Sequence, residues 1–288
     1  MTERSEDGLP PLREVIATFG LSARKGLSQN FILDFNLTRR IAREAGPFHE
    51  GIVYEVGPGP GGLTRALLIE GANRVIAVER DSRCLPALAQ IKAAIPGRLE
   101  VINADALKIS EIDLLTSHCI APPIAAVANL PFNVGTAILI KWLTVDSWPP
   151  WWSKLTLMFQ SEVAERICAN PCNNSYGRLS ILAQWRCEPR ILFEVSRQAF
   201  VPSPNVDSAI VAITPLPEPK FPAERKDLEA VTAAAFGQRR KMLRRSLKTV
   251  SANPNKILEI SGIDGSARAE ELTIEQFCAL ARALSISR

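Results

Sequence analysis

Apolar and polar positions alternate in blocks between residues 51 and 160, and each block has the length of one strand or one helix. Short, mostly apolar runs typical of buried strands occupy residues 51–57, 74–79, 99–105, 124–130 and 154–160. Longer runs with helical spacing separate them, at residues 62–71, 84–95 and 136–143. Strands that alternate with helices in this way form right-handed βαβ units and a mostly parallel sheet. The pattern therefore predicts an α/β fold with a doubly wound, Rossmann-like sheet that binds ligands at its strand ends.

The flanking sequence predicts further elements. Helices are predicted at residues 12–19, 36–45 and 162–167. Residues 178–215 contain β-rich runs broken by prolines, which indicates antiparallel strands that complete the sheet. The following stretch, to residue 224, has prolines at 215, 217, 219 and 222 and is typical of a stiff linker.

Three parts of the chain are expected from this reading. Residues 1–11 are polar, end in two prolines and predict a disordered N-terminus. Residues 12–215 form the ligand-binding domain. Residues 216–288 show mainly helical spacing and predict a small α-helical domain.

Composition places the chain among ordinary soluble proteins. Of its 288 residues 47% are hydrophobic, yet no apolar run reaches the length of a membrane span, and the N-terminus lacks the pattern of a secretory signal. We expect a cytoplasmic protein with no membrane association, and a monomer, because no dimerisation stripe is visible. The six cysteines are scattered and the only histidines are His49 and His118, so no metal site is predicted.

A glycine-rich turn follows the first predicted strand of the sheet. The sequence EVGPGPGGLT (55–64) places Gly57, Gly59 and Gly62 at the spacing of a dinucleotide-binding turn. A tight turn alone explains one glycine, and the four present favour a ligand cradle. Pro58 and Pro60 lack the backbone N–H groups that a pyrophosphate needs. S-adenosylmethionine contains no phosphate, so the turn favours this cofactor, with Gly57 and Gly59 as candidate contacts.

Two carboxylates follow the next two predicted strands. Glu79 ends the second strand, where it can accept hydrogen bonds from both hydroxyls of a ribose. Asp105 follows the third strand, where an adenine amino group can donate to it. Either carboxylate alone is more often a turn or helix-capping residue. At successive strand ends beside a glycine turn, the pair favours ligand binding.

The tetrapeptide Asn129-Leu130-Pro131-Phe132 ends the fourth predicted strand. A site that methylates an exocyclic adenine amine needs acceptors for the amine hydrogens and a flat surface for the base. The Asn129 side chain and the Leu130 carbonyl can accept, Pro131 stiffens the turn, and Phe132 offers a ring for stacking. A strand-to-helix turn with Asn129 bonded to the backbone and Phe132 in the core is the alternative.

Taken in order, these motifs resemble those of the ribosomal RNA adenine N6,N6-dimethyltransferases, most closely the bacterial small-subunit (16S) branch. The similar segments are KGLSQNFILD (25–34), EVGPGPGGLT (55–64), AVERD (77–81), NAD (103–105), NLPFNV (129–134), YGRLSILAQ (176–184) and FVPSPNVDSAIV (200–211). They span nearly the whole chain after residue 12.

The resemblance implies a class I methyltransferase sheet with S-adenosylmethionine as cofactor. It implies dimethylation of two neighbouring adenosines in a hairpin loop near the 3′ end of 16S rRNA, in the immature small ribosomal subunit, with a role in subunit biogenesis. Gln29, Asn30 and Ile32 are expected to close over the cofactor. The implied contacts are Gly57 along the cofactor, Glu79 at its ribose, Asp105 at its adenine, Asn129 between cofactor and target amine, and Phe200 as a second aromatic wall opposite Phe132.

One position departs from the family pattern. Bacterial members usually carry tyrosine where this chain has Phe132. Stacking survives this change, whereas a hydrogen bond from the hydroxyl does not. Large-subunit resistance methyltransferases and mitochondrial relatives tolerate phenylalanine there, so a large-subunit rRNA adenine methyltransferase is an alternative. The helical C-terminal domain and the FVPSPNVDSA segment favour the small-subunit branch.

A basic segment predicts the RNA-binding surface. Residues 234–248, AAFGQRRKMLRRSLK, are expected to form one helix with Phe236, Leu243 and Leu247 on its buried face. The outward residues and two more at the mouth of the cofactor site are the candidate phosphate contacts: Lys241, Arg244, Arg245, Lys248, Arg24 and Lys25. A solvated helix face is the ordinary meaning of such a run, but acidic residues are nearly absent from this one.

Two functions of other classes also fit parts of the sequence. A ribosome assembly factor acting mainly by binding would use the same basic surface. A nicotinamide dehydrogenase is suggested only by the glycine spacing, and Pro58 and Pro60 argue against it.

Overall fold

The computed structural model describes residues 7–23, 29–48 and 51–288. Its helices are α1 (Leu12–Thr18), α2 (Phe35–Ala45), α3 (Gly62–Ile69), α4 (Leu85–Ala94), α5 (Glu111–Ser117), α6 (Gly135–Leu143), α7 (Ser161–Cys168), α8 (Arg178–Arg186), α9 (Arg225–Gly237), α10 (Leu243–Ser246), α11 (Pro254–Ser261) and α12 (Ile274–Ser287). Its strands are β1 (Phe31–Ile32), β2 (Ile52–Val56), β3 (Arg74–Glu79), β4 (Leu99–Asn103), β5 (Ile124–Ala128), β6 (Trp152–Gln160), β7 (Cys187–Val195), β8 (Phe200–Val201) and β9 (Ser208–Pro215).

Seven strands form one sheet in the order β4-β3-β2-β5-β6-β9-β7. Strands β2 to β6 pair in parallel, and β9 runs antiparallel to β6. The central strands β2, β3 and β5 are buried along almost their whole length, because helices cover both faces of a doubly wound sheet. The predicted α/β fold is confirmed, and up to α7 the bounds of the predicted elements lie within two residues of those observed. The sequence did not predict β1 or α5.

The sequence did not predict α8, which lies where antiparallel strands were expected. Ile181, Ala183 and Trp185 are all buried at two-residue spacing, which imitates a strand. Local bonds favour the helix: the Gly177 N–H donates to Ser180 Oγ (3.0 Å), and this hydroxyl donates to the Arg166 carbonyl (2.5 Å). The remainder of that region does form β7 and β9.

The basic segment at residues 234–248 is not one helix, which corrects a second prediction. Helix α9 ends at Gly237, the chain turns, and the short helix α10 begins at Leu243. Gly237 at the break explains the interruption, because glycine is a poor helix former. The prediction that Leu243 and Leu247 are buried holds.

The chain forms two compact units. The first comprises the residues up to Trp142 with Pro150–Ala164 and Arg190–Thr214, and the second comprises Leu143–Pro149, Glu165–Pro189 and Pro215–Arg288. The change at Pro215 lies at the predicted boundary, but the second unit also takes α8 and its neighbours from the predicted first domain. The supposed linker binds α8 in this unit: the Trp185 indole N–H donates to the Phe221 carbonyl (2.8 Å), and the Lys220 N–H donates to the Trp185 carbonyl (2.9 Å).

Each unit has its own hydrophobic core. Helices α2, α3 and α4 pack on the sheet in the first, around residues such as Ile41, Leu67 and Leu88. The second is built around Trp185 and Phe277 with the helices that follow Pro215. None of the helices in the described residues has both the length and the apolar character that a membrane span requires.

The N-terminal segment from Asp7 onward is packed, contrary to the expected disorder of residues 1–11. Asp7 forms a two-pronged ion pair with Arg65 of α3, at 2.6 and 2.8 Å, and both side chains are less than 5% exposed. Arg65 also donates to the Pro10 carbonyl (2.8 Å). A buried arginine requires such partners. Residues 1–6 lie outside the described residues.

Candidate active site

The carboxyl ends of the parallel strands meet at one edge of the sheet. β2 pairs with β3 on one side and with β5 on the other, so Gly57, Glu79 and Asn129 follow or end neighbouring strands. β4 pairs with β3 in a register that sets Asn103 opposite Glu79, and Asp105 follows two residues later. Parallel pairing therefore brings the predicted residues to one crevice.

A cavity lies along this edge, entirely within the first unit. Five segments supply most of its lining, and their members include Gln29, Asn30, Phe31, Ile32, Gly57, Pro58, Gly59, Pro60, Glu79, Arg80, Asp81, Asp105, Asn129, Leu130, Pro131 and Phe132. Leu12 of α1 and Ile138 of α6 also line it. The structure thus brings together the predicted cofactor and target-base residues, with the exceptions given below.

Backbone geometry favours glycine at two positions of the glycine turn. Gly59 has φ +56°, and its N–H donates to Glu79 Oε2 at 2.9 Å. Gly61 has φ +93°, and a Cβ there would collide with the Ile91 side chain. Both observations explain the glycines by backbone geometry. Because glycine has no side chain, backbone atoms of the turn form part of the cavity wall.

Glu79 is held in a fixed orientation. Its second oxygen, Oε1, accepts from the Asp81 N–H at 2.6 Å, and the side chain is almost fully buried. Burial raises the pKa of this carboxyl, whereas the two backbone N–H groups oppose the shift. A carboxyl group has further lone pairs beyond those used by the backbone, and these are available to ligand hydroxyls.

The lining carries more negative than positive groups. Among the described residues the charged side chains of the lining are Glu79, Asp81, Asp105 and Arg80. Hydrogen bonds from Arg83 hold the pKa of Asp81 at about 2, so this carboxylate stays ionised. Gln29 also donates to Asp81, at 2.9 Å. A lining with this charge favours a cationic ligand over a pyrophosphate.

Asp105 closes a turn at the far side of the cavity. Its Oδ1 accepts from the Leu107 N–H at 3.0 Å, and its Oδ2 lies 3.7 Å from Arg80 Nη1. The side chain remains partly exposed at the cavity wall. Asp105 therefore closes a turn, which was one of the two roles predicted from the sequence, and it also lines the cavity.

The tetrapeptide 129–132 connects β5 to α6. The Pro131 carbonyl accepts from the N–H groups of Val134 (3.1 Å) and Gly135 (3.0 Å), so it starts the helix. Asn129 Nδ2 lies 3.4 Å from the Asn30 carbonyl, a long bond that uses the amide nitrogen rather than the oxygen. Leu130 is buried, whereas Asn129 and Phe132 are partly exposed on the cavity. Of the alternative, the bond from Asn129 to the backbone is present, whereas Phe132 is not packed in the core.

A buried carboxyl lies beneath the glycine turn. Glu55 of β2 is 1% exposed, and its Oε2 accepts from Thr64 Oγ1 of α3 at 2.7 Å. Burial raises the pKa of Glu55 to about 8, so the neutral acid predominates at neutral pH. This acid joins the residues just before and just after the turn. Glu55 was not among the site residues predicted from the sequence.

Phe200 is not where the sequence reading placed it. It lies in β8 opposite Ile32 of β1, is 2% exposed and belongs to the core of the first unit. It is absent from the cavity lining, whereas Phe31, which was not predicted, lines the cavity. Both residues of β1, Phe31 and Ile32, line the cavity, whereas Phe200 of β8 packs into the core, and the sequence alone did not reveal this pairing.

Two sets of predicted RNA contacts have different outcomes. Lys241, Arg244, Arg245 and Lys248 are exposed in the second unit. Arg239 of the same segment is paired with Glu270 at 2.7 Å. Arg24 and Lys25 lie outside the described residues.

Comparison with known proteins places the chain among rRNA methyltransferases. A family model described as "Ribosomal RNA adenine dimethylase" matches residues 20–285. The chain is 59% identical over 278 residues to "Ribosomal RNA small subunit methyltransferase A" of Ruegeria sp. (strain TM1040), covering 96% of this chain and 98% of that relative.

Two solved structures have a similar fold. The 23S rRNA methyltransferase ErmE superposes with a TM-score of 0.64 and 27% identity, covering 89% of this chain and 100% of that one. A dimethyladenosine transferase from Plasmodium falciparum gives a TM-score of 0.62 at 22% identity, covering 93% of each chain.

Proposed function

Because this chain belongs to the ribosomal RNA adenine dimethylase family, we propose that it dimethylates the N6 amines of two adjacent adenosines near the 3′ end of 16S rRNA. It is an S-adenosylmethionine-dependent rRNA adenine dimethyltransferase. The one observation that carries the assignment is a single cavity shared by the glycine turn, Glu79 and the tetrapeptide 129–132.

The cavity fits the cofactor on chemical grounds. When bound, S-adenosylmethionine supplies an electrophilic methyl group on a positively charged sulfur. Gly57 and Gly59 leave room beside the backbone for its amino-acid part, and Glu79 accepts from its ribose hydroxyls. Asp105 accepts from the adenine amine, and Gln29, Asn30 and Ile32 cover the bound molecule. The surplus of carboxylates in the lining favours its positive charge.

The tetrapeptide 129–132 holds the target amine. Because the Asn129 amide nitrogen faces the Asn30 carbonyl, its oxygen is the atom offered to an amine hydrogen. The Leu130 carbonyl accepts the second hydrogen, and Phe132 stacks on the base. Accepting both hydrogens directs the nitrogen lone pair along the line of attack, so catalysis rests on positioning rather than on a strong base. Phe200, being in the core, supports β1 beside this site.

The small subunit is the preferred substrate within the family. Relatives named for the small subunit reach 59% identity, whereas the 23S enzyme ErmE reaches 27%. We therefore do not favour the large-subunit alternative, and membership of this family also rules out the dehydrogenase reading. The partner we propose is 16S rRNA within an immature small subunit, bound by a cytoplasmic monomer without membrane association.

A methyl-transfer assay with separated ribosomal subunits tests this proposal. Small subunits that lack the modification are incubated with labelled S-adenosylmethionine and the purified protein, and label in dimethyladenosine is measured. We expect transfer to small subunits but not to large ones, and none by Asn129→Ala. An exposed asparagine on α2 provides the control, Asn36→Ala, which should be fully active. Subunit binding without any transfer by the wild type would instead support an assembly factor.

A further inference from the structure

Lys141 of α6 binds the loop that carries Asp105. Its Nζ donates to the carbonyls of Ala106 (2.8 Å) and Ile109 (2.6 Å) and to Glu111 Oε1 (2.7 Å). Ala104, Asp105, Ala106 and Leu107 of this loop line the cavity. The lysine itself does not appear in the lining, so it acts on the loop from behind.

Glu111 makes this connection rigid. Its side chain is only 6% exposed, and the oxygen that meets Lys141 also accepts from the Trp142 indole N–H at 2.7 Å. Trp142 is fully buried and packs edge-on against Tyr54 and Trp151. The loop is thereby tied to an aromatic cluster in the core, and a charged network whose members all have partners has one preferred arrangement.

The two ends of the loop are closed by different groups. Asp105 closes the cavity side, where Leu107 and Lys108 donate to its side chain and carbonyl, at 3.0 and 2.8 Å. Lys141 binds the loop on the side that faces away from the cavity. Because three donated bonds converge from one flexible ammonium group, removal of Lys141 leaves two carbonyls and a buried carboxylate without their cation.

Helix α6 also carries the target-base site. It starts from the Pro131 carbonyl, and the cavity is lined by Ile138 of this helix and by Val134 just before its first residue. Lys141 lies about one turn after Ile138 on this helix. One helix therefore contacts the tetrapeptide at its N-terminus and the Asp105 loop near its C-terminus.

We propose that Lys141 is a positioning residue for the adenine subsite, which holds the Asp105 loop at a fixed distance from the tetrapeptide 129–132. This inference rests on the proposed function. Loss of Lys141 should affect the Asp105 loop, which contacts the cofactor. It should not affect the tetrapeptide, which keeps its own bonds to α6. Loss of Lys141 weakens cofactor binding and leaves the methyl-transfer step at saturation almost unchanged.

The test uses a variant that avoids a buried unpaired charge. Lys141→Met/Glu111→Gln removes both charges, and glutamine can still accept from Trp142. Lys92→Met is the control, because Lys92 pairs with Glu100 on the surface and neither lines the cavity. Affinity for S-adenosylhomocysteine is measured by calorimetry, KM and kcat by methyl transfer, and folding by thermal unfolding.

We expect the double variant to raise Kd and KM for the cofactor about tenfold, with kcat changed less than about twofold. Lys141→Arg, which keeps a cation and several donors, should restore most of the affinity, and Lys92→Met should match the wild type. A lower unfolding temperature with unchanged Kd and KM would overturn the inference, as would an arginine variant as weak as the double variant. If the wild type itself fails to bind S-adenosylhomocysteine, the proposed function fails instead.

Discussion

Single side chains around the cavity act through where they are held rather than through unusual reactivity. Glu79 is fixed by two backbone N–H groups, and Asn129 faces the Asn30 carbonyl. No strong base is needed, because the adenine amine only has to be oriented toward an electrophilic methyl group. Substitutions that change the shape or the hydrogen bonds of these residues should therefore lower activity more than substitutions that change only their charge.

Phe132 provides the first prediction at this scale. Phe132→Ala removes the stacking surface and should lower kcat/KM for small subunits roughly 10- to 100-fold, because base stacking on an aromatic ring contributes about 1–3 kcal/mol. Phe132→Tyr keeps the ring and should stay within about threefold of the wild type. Methyl-transfer kinetics measure both. Full activity of the alanine variant would show that the ring does not hold the base.

Glu55 provides a prediction on pH. Burial raises its pKa from about 4.5 to about 8. Between these values the folded chain keeps a proton that the unfolded chain releases, so this residue's contribution to stability is fully present below about pH 4.5 and declines as pH rises through about 8. Glu55→Gln imitates the neutral acid and does not titrate.

Thermal unfolding of both proteins from pH 5 to pH 9 checks this prediction. The variant's unfolding temperature should rise relative to the wild type as pH increases, with most of the change complete just above the pKa of Glu55. Glu100→Gln, at a partly exposed surface carboxylate, should show no such trend. A constant difference between wild type and Glu55→Gln would mean that Glu55 is ionised throughout.

The residues that sequence reasoning located are those whose chemistry is set by their place at a strand end. Gly57, Glu79, Asp105 and Asn129 follow strands that the apolar pattern identifies, so parallel pairing was enough to bring them together. Phe200 was misplaced because its place in the core is set by the pairing of β8 with β1, two strands that lie far apart in the sequence.

Asp81 also lines the cavity, and its position two residues after Glu79 was the available signal. Lys141 gave none, since its partners are mainly backbone carbonyls.

At the scale of elements, the segment of residues 7–18 is a strap along the glycine turn. Asp7 binds Arg65 of α3, and Leu12 lines the cavity at a point where a Cβ on Gly62 would lie 2.8 Å from the Leu12 side chain. Helix α3 begins at the end of the glycine turn, so the strap and the turn are held together. The ion pair is buried, and its loss removes the carboxylate that accepts two hydrogen bonds from Arg65.

Asp7→Asn tests the strap. We expect a loss of roughly 3 kcal/mol in the free energy of unfolding, because removing one partner of a buried ion pair strands the other. Denaturant unfolding gives this value. Glu100→Gln breaks the exposed pair with Lys92 and should cost less than about 1 kcal/mol. Equal, small losses in the two variants would show that the Asp7–Arg65 pair does not hold the strap.

Elements with one clear period were predictable, and those shaped by distant contacts were not. The central strands β2, β3 and β5 are buried on both faces, so their apolar runs are unambiguous. Helix α8 has few exposed polar residues, so its sequence shows no clear 3.6-residue period. Its Trp185 donates a hydrogen bond to the carbonyl of Phe221, which lies far along the chain. The break between α9 and α10 similarly depends on Gly237, which a helical-face argument passes over.

At the scale of the whole molecule, the exposed basic residues of the second unit predict how binding depends on salt. Lys241→Gln/Lys248→Gln should lower affinity for the RNA and reduce the slope of log K against log salt concentration by about 0.7 per lost contact. Lys220→Gln/Lys226→Gln removes the same charge from two other exposed lysines of that unit and should change little. Filter binding at several salt concentrations measures both. Equal effects would mean that net charge alone, and no particular surface, attracts the RNA.

The most direct test of the central claim maps the modified nucleosides in cells. A bacterial strain without its own small-subunit adenine dimethyltransferase is supplied with this chain or with Asn129→Ala, and its ribosomal RNA is analysed by mass spectrometry. We predict N6,N6-dimethyladenosine at two adjacent positions near the 3′ end of 16S rRNA with the wild type, and none with the variant. Absence of the modification despite normal expression, or its appearance on the large-subunit RNA, would contradict the account.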